Sequence, residues 1–310
     1  MHLRSLNDLT KKELTEIIDK AIEIKKNPKD FSTAMKNKTL MMLFEKPSLR
    51  TRLSFEAGMT KMGGHAIFYS IKDSPLGKKE SVEDTAKAAS RFVDIIMARL
   101  FKQEDLDSLA EHATVPVINA LTDKYHPCQI IADLQTIKEK KGKHKGIKLA
   151  YFGDSNNNVT HSLLLGCSMV GINISVGCPK GKEFEPQKDV LEKAMENAKE
   201  TGSKVEILND AEKAVENADV IYTDSWMSYH IPEEQKEKRI EIFKSFQVNE
   251  ELMKKAKPDA VFMNCLPAIR GMEQTAEVID GKQSIVFDQA ENRLWAQNSL
   301  MIHLMKKWEK

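Results

Sequence analysis

Thr39-Leu40-Met41-Met42-Leu43-Phe44-Glu45-Lys46-Pro47-Ser48-Leu49-Arg50-Thr51-Arg52-Leu53-Ser54-Phe55-Glu56 changes character twice along its length. Thr39–Phe44 is a short, continuous apolar run, the pattern of a strand buried on both faces. A polar loop follows, and helical spacing then runs from Thr51 to Lys61. Working outward, Ala66–Ser70, Ile95–Ala98 and Pro116–Asn119 read as further buried strands with helical stretches between them. Upstream, Asn7-Asp8-Leu9-Thr10 before Lys11-Lys12-Glu13-Leu14 reads as a capped helix start, with apolar spacing at Ile17, Ile18, Ala21 and Ile24. Downstream, Ile130–Lys141 reads as one helix leading into Lys141-Gly142-Lys143-His144-Lys145-Gly146, a basic, glycine-punctuated joint where a domain boundary is expected.

Beyond the joint the alternation resumes, with strands expected at Lys148–Phe152, Asn173–Gly177, Lys204–Leu208, Val220–Thr223, Ala260–Asn264 and Ser284–Phe287. Strand alternating with helix implies parallel sheets with right-handed crossovers. The expected fold is therefore α/β, two doubly wound parallel-sheet domains joined by interdomain helices. The first spans 1–140, the second 146–290, and a C-terminal helix, 292–310, packs back onto the first. In such folds ligands gather at the C-terminal ends of strands and in the cleft between domains.

With 310 residues, 41% hydrophobic and 30% charged, the chain has the balance of a soluble two-domain protein. Its 47 basic and 46 acidic residues leave a net charge of +1, so no global field draws it to nucleic acid or to an anionic membrane. Anion binding has to be local. Cys128, Cys167, Cys178 and Cys265 form no CxxC pair, and no His/Cys cluster has zinc-like spacing, so scattered thiols are the plain reading. The opening Met1-His2-Leu3-Arg4-Ser5 carries no signal-like apolar run, and no segment has the ~18 apolar residues of a membrane span. A cytoplasmic location is expected.

The loop after the first strand ends in Ser48, where a helix begins with a hydroxyl residue and two arginines. Helix N-terminal N–H groups, dipole and guanidinium donors together suit a phosphate. A capped helix with solvated arginines fits the same letters. Arg99 closes an apolar strand, where a buried arginine needs a partner. His126 precedes proline, a place where a loop histidine often makes only a turn bond. Gly153-Asp154-Ser155-Asn156-Asn157-Asn158 gives a tight turn with side-chain amides aimed at the cleft, or an N-cap cluster. The charged run Glu233–Arg239 reads as a solvated helix.

Ser48-Leu49-Arg50-Thr51-Arg52 resembles the carbamoyl-phosphate signature Ser-Thr-Arg-Thr-Arg of the aspartate/ornithine carbamoyltransferase superfamily. Met97-Ala98-Arg99, His126-Pro127-Cys128-Gln129, Asn264-Cys265-Leu266-Pro267 and Ala290-Glu291-Asn292-Arg293 resemble its other boxes, in the family's order along almost the whole chain. The resemblance implies that Ser48, Leu49, Arg50, Thr51 and Arg293 bind carbamoyl phosphate. It implies that Arg99 and His126 donate to its carbonyl oxygen and that Gln129 holds its amide nitrogen. It further implies an ornithine site of Asn158, Asp224, Ser228, Tyr229, Cys265 and Leu266, with Cys265 and Asp224 helping the side-chain ammonium shed its proton. Carbamoyl phosphate is already activated, so Cys265 need not act as a nucleophile.

The family expectation is transfer of the carbamoyl group to ornithine, giving citrulline and phosphate, within a homotrimer or an assembly of trimers. Three departures stand out. Asn264 replaces a frequent histidine, Tyr229-His230 replace Met-Gly, and Pro75 stands in the loop that crosses between subunits. They leave putrescine or an N-acylornithine as alternative acceptors, whereas Asp224 would repel aspartate. A non-catalytic carbamoyl-phosphate or amino-acid-binding protein would require the loss of a donor, yet Arg50, Thr51, Arg99, His126, Gln129 and Arg293 are all present.

Overall fold

The computed structural model describes residues 1–71, 80–227 and 231–309. Pro75, Ser228, Tyr229 and His230 lie outside the described residues. The chain divides into two compact units, Met1–Gln135 with Glu291–Lys310, and Thr136–Ala290. The change of unit comes inside a helix, whereas the basic joint follows at that helix's end.

In the first unit α1 (Lys11–Lys26) starts at Thr10, whose hydroxyl accepts the Glu13 N–H while the Glu13 carboxylate accepts the Thr10 N–H at 2.9 Å. This reciprocal cap satisfies donors that a helix start otherwise leaves open. There follow β1 (Thr39–Phe44), α2 (Leu49–Lys61), β2 (His65–Ser70), α3 (Val82–Ala89), β3 (Ile95–Arg99), α4 (Gln103–His112), β4 (Val117–Leu121) and α5 (Pro127–Lys141). The strands form one parallel sheet in the order β2-β1-β3-β4. β3 and β4 are wholly buried and β1 nearly so.

β2 departs from the expectation of a strand buried on both faces: Ile67 and Phe68 are 42% and 37% exposed. It is an edge strand, paired on one side only, and the Arg52 guanidinium lies 4.0 Å over the Phe68 ring.

The second unit carries β5 (Lys148–Phe152), α6 (Asn158–Val170), β6 (Asn173–Gly177), α7 (Lys188–Thr201), β7 (Val205–Leu208), α8 (Ala211–Val215), β8 (Val220–Thr223), α9 (Lys236–Phe243), α10 (Glu250–Lys254), β9 (Val261–Asn264) and α11 (Ala276–Ile279). Its parallel sheet runs β7-β6-β5-β8-β9 over a core that includes Phe152, Ile221, Val248 and Phe262. α12 (Val286–Trp308) begins here and continues into the first unit, where Ser299 donates to Ile17 O at 2.7 Å and Lys307 meets Glu13 at 2.7 Å.

Ser284–Phe287 is not a strand. Ser284 makes a single bridge to Phe262, and α12 starts at Val286. The β-branched pair Ile285-Val286 is too short to outweigh the helical spacing after it, and Asp288 suits a first helical turn.

Both sheet orders reverse direction once. In the first unit the chain leaves β1 for β2 on one side and returns to β3 on the other. In the second it does the same between β5 and β8. Loops that diverge at such a reversal leave a crevice at the strands' C-terminal ends. Phe44 and Arg99 are register partners at the first reversal, and Phe152 and Thr223 at the second. No described helix is long and apolar enough to cross a membrane.

Candidate active site

At the first reversal the loop after β1 is tied to the end of β3. Glu45 N–H donates to Arg99 O at 2.9 Å, and the Glu45 carboxylate accepts the Phe101 N–H at 2.7 Å. Ser48 then caps α2: its hydroxyl donates to Thr51 Oγ1 at 3.1 Å and accepts the Thr51 N–H at 3.4 Å. Thr51 is buried and Arg50 half-buried. Leu49, the first residue of α2, is 69% exposed. Arg52 faces away, paired with Glu56 at 3.0 Å.

β3 contributes buried Arg99, and the start of α5 contributes buried His126 and Gln129. From α12 comes Arg293, 2% exposed, whose Nη1 donates to Gln129 Oε1 at 2.6 Å. Gln129 Nε2 in turn donates to Asp133 at 2.8 Å. With its amide oriented by its hydrogen-bond network, Gln297 accepts from Arg293 Nη2 and Nε at 2.8 and 3.1 Å. Two neutral side-chain amides thus help to hold the guanidinium in place.

Burial, then Arg293, Arg99 and Arg50 in that order, push the His126 imidazole well below its ordinary range. It is neutral, and a neutral imidazole can donate one hydrogen bond without bringing a charge of its own. Burial and the neighbouring Arg99 also lower the Lys46 ammonium to about 8. Lys46 was not singled out from the sequence. Its only signal there was a basic residue two places before the helix cap. Three guanidinium groups act on one neutral imidazole, with Lys46 beside Arg99, a cluster of cationic donors of the kind that suits an anion.

At the second reversal Thr223 Oγ1 donates to Phe152 O at 2.7 Å, closing the strand ends. Gly153 takes φ +134°, a conformation that side chains disfavour, and so starts the turn into α6. Most of the amide-rich loop is used within that turn. Asn157 accepts the Thr160 N–H at 2.8 Å as N-cap and donates to Asp154 O at 2.7 Å. Asp154 accepts the Asn156 N–H at 2.9 Å and pairs with Arg239. Asn158, the first residue of α6, is buried.

The Arg239 pairing corrects the reading of 233–239 as a solvated helix. Arg239 is buried, its Nε donates to Trp226 O at 2.7 Å, and its guanidinium lies 4.9 Å from the Phe243 ring centre. One buried arginine among exposed lysines and glutamates leaves no mark on composition. Breaking a buried ion pair typically costs about 3–5 kcal/mol because the surviving charge stays buried. Arg239→Met is therefore expected to lower the urea midpoint by a corresponding amount, and a shift equivalent to under ~1 kcal/mol, the worth of an exposed pair, would contradict it.

Cys265, directly after β9, donates its thiol to Asp224 Oδ1 at 3.2 Å, joining the ends of β9 and β8. Asn264 braces this turn: its Oδ1 accepts the Leu266 N–H at 2.7 Å and its Nδ2 donates to Gln274 at 3.0 Å, with Leu266 at φ +56°. The asparagine in place of histidine thus serves as a side-chain turn former. All four cysteines are free thiols, and burial pushes Cys128 up to about 12. Among the described residues no group of His, Cys, Asp and Glu has metal-binding geometry.

The arrangement defines a two-unit α/β protein with a cluster of cationic side chains in one unit and a carboxylate–thiol pair in the other. Comparison with known proteins places it further. Residues 1–139 match the carbamoyl-P binding domain of aspartate/ornithine carbamoyltransferases, and residues 145–304 match their Asp/Orn binding domain. An ornithine carbamoyltransferase of Oceanobacillus iheyensis is 53% identical over 97% of this chain and 93% of its own. The solved ornithine carbamoyltransferase of Pyrococcus furiosus superposes with a TM-score of 0.94 at 47% identity, over 98% of this chain and 97% of that one. An anabolic ornithine carbamoyltransferase of Campylobacter jejuni gives 0.92 at 38% identity, over 99% of each. The chain belongs to the aspartate/ornithine carbamoyltransferase family.

Proposed function

We propose that this chain transfers the carbamoyl group of carbamoyl phosphate to the side-chain amine of L-ornithine, giving L-citrulline and phosphate. The observation that carries the reading is the cluster of guanidinium groups acting on neutral His126, in the unit that matches the family's carbamoyl-P binding domain. In this reading Ser48, the Leu49 backbone, Arg50, Thr51 and Arg293 hold the phosphate. Arg99 and His126 donate to the carbonyl oxygen as it gains charge. Gln129 Oε1 already accepts from Arg293, and its second lone pair is available to the carbamoyl amide.

Asn158, Asp224, Ser228, Tyr229, Cys265 and Leu266 form the acceptor site. An amine like that of lysine has an unperturbed pKa of about 10.4, so the bound ammonium has to release a proton before it can attack. The Asp224–Cys265 pair is the place assigned to help that release. The amine lone pair then forms the N–C bond, the bond between the carbonyl carbon and the phosphate oxygen breaks, phosphate leaves with the electron pair, and the attacking nitrogen's extra proton passes to it. The reading includes a homotrimer or assembly of trimers, a cytoplasmic location, arginine biosynthesis as the setting, and no metal or organic cofactor.

The test is product formation from carbamoyl phosphate with ornithine, putrescine, N-acetylornithine, N-succinylornithine and aspartate compared side by side. Selective citrulline formation supports the reading. Selectivity for another amine would overturn its acceptor half alone, and carbamoyl-phosphate binding without any turnover would overturn the enzyme reading.

A further inference from the structure

The two arginines assigned to the phosphate come from the two separate stretches of the first unit, Arg50 on α2 and Arg293 on α12. Linking them are two buried polar side chains with no task in the reaction as assigned, Ser54 and Gln297. Gln297 Oε1 accepts from both Nη2 and Nε of Arg293, at 2.8 and 3.1 Å, while its Nε2 donates to Ser54 Oγ at 2.5 Å and to Arg293 O at 3.2 Å. The Ser54 hydroxyl donates in turn to Arg50 O at 2.6 Å. A continuous chain of hydrogen bonds thus runs from the Arg293 guanidinium, through one amide and one hydroxyl, to the backbone of Arg50 in the first turn of α2.

The two helices come close here. A Cβ at Gly58, one turn beyond Ser54, would stand 2.2 Å from Asn298 Oδ1 and 3.5 Å from Leu294 Cδ1. Asn298 Oδ1 has no hydrogen-bond partner among the described residues, whereas the neighbouring Gln297 is bonded through both ends of its amide. An amide suits this place because it offers an acceptor to the guanidinium and a donor to the hydroxyl, and brings no charge. A carboxylate would lack the donor and neutralise the guanidinium, and a thioether would serve neither side. Fixing a long arginine side chain before the anion arrives removes an ordering cost that binding would otherwise meet.

We propose that Gln297 is a positioning residue of the phosphate site: bridging α12 to α2 through Ser54, it sets the Arg293 guanidinium relative to the Arg50 turn before the anion binds. This rests on the assignment of Arg50 and Arg293 to the phosphate.

The probe is inorganic phosphate, its dissociation constant measured by calorimetry on the full chain. Gln297→Met, similar in length but without the amide, is expected to raise that constant about tenfold, the scale of a hydrogen bond to a charged group. Ser54→Ala spares the contact with Arg293 and removes the tie to α2, and should raise it about threefold, the scale of a neutral hydrogen bond. In an Arg293→Lys background, where the paired guanidinium donors are gone, Gln297→Met should add less than about twofold, because partners in one network do not add. General damage to the fold would add in full. A constant in Gln297→Met that matches the parent's, or the full loss repeated in the Arg293→Lys background, would overturn the proposal. If Gln297→Met does not fold, Ser54→Ala carries the test, and an unchanged constant there overturns it. Phosphate binding by the parent is read first, and its absence removes the assignment of the arginines themselves.

Discussion

Arg99→Met is expected to lower kcat by about 10²–10³, or roughly 2.7–4 kcal/mol of barrier, the usual loss when one oxyanion donor, the part the proposed function gives Arg99, is removed. Arg99 ends β3 directly beside the end of β1 and acts electrostatically on both His126 and Lys46. Its charge is not replaceable by a neighbour reaching in, because Arg293 is already held by Gln129 and Gln297 and Arg50 extends from a separate helix. Inorganic phosphate should still bind, since Ser48, Thr51, Arg50 and Arg293 remain. Single-turnover rates against phosphate affinity separate the two effects. A fall in phosphate affinity as large as the fall in rate would show that Arg99 serves ground-state binding and not the developing oxyanion.

The second large effect is expected at Asp224. Asp224→Asn removes the carboxylate that receives the Cys265 thiol and, in the proposed reading, an ammonium. Truncating one partner of a desolvated charge pair costs roughly 2–5 kcal/mol, so kcat/KM for ornithine should fall from about 30-fold to a few thousandfold. The dissociation constant of carbamoyl phosphate, measured without ornithine, should stay within about twofold, because the groups assigned to it belong to the first unit and Asp224 belongs to the second. Both quantities come from initial-rate kinetics and equilibrium binding on one preparation. Equal losses in both would point to a damaged fold and remove Asp224 from the acceptor site.

Much of this was legible from the letters alone, because the informative elements carry strong local signals. β1 is a run of apolar residues followed by a helix cap, and it lies where that pattern put it. Asn173–Gly177 and Lys148–Phe152 agree residue for residue with the structure. The parallel alternation forced two doubly wound sheets, but alternation does not fix strand order, so the exposed edge at β2 was hidden. Side chains whose environment is made by distant parts of the chain were also hidden. Arg239 is read by Asp154, and Lys46 by Arg99. In each case the deciding neighbour lies far along the chain, and no local periodicity reports it.

The first unit is made of two stretches of chain, Met1–Gln135 and Glu291–Lys310, separated by the whole of the second. On the ribosome, then, its four strands emerge early while Arg293 emerges only after all of Thr136–Ala290 has been synthesised. Until then α1 lacks the helix that Ile17 and Glu13 meet, and the cationic cluster lacks one of its guanidinium groups. Domains usually fold as units in order of synthesis. Here the second unit, continuous in sequence, can finish first, and the first unit is complete only once Glu291–Lys310 has followed it out.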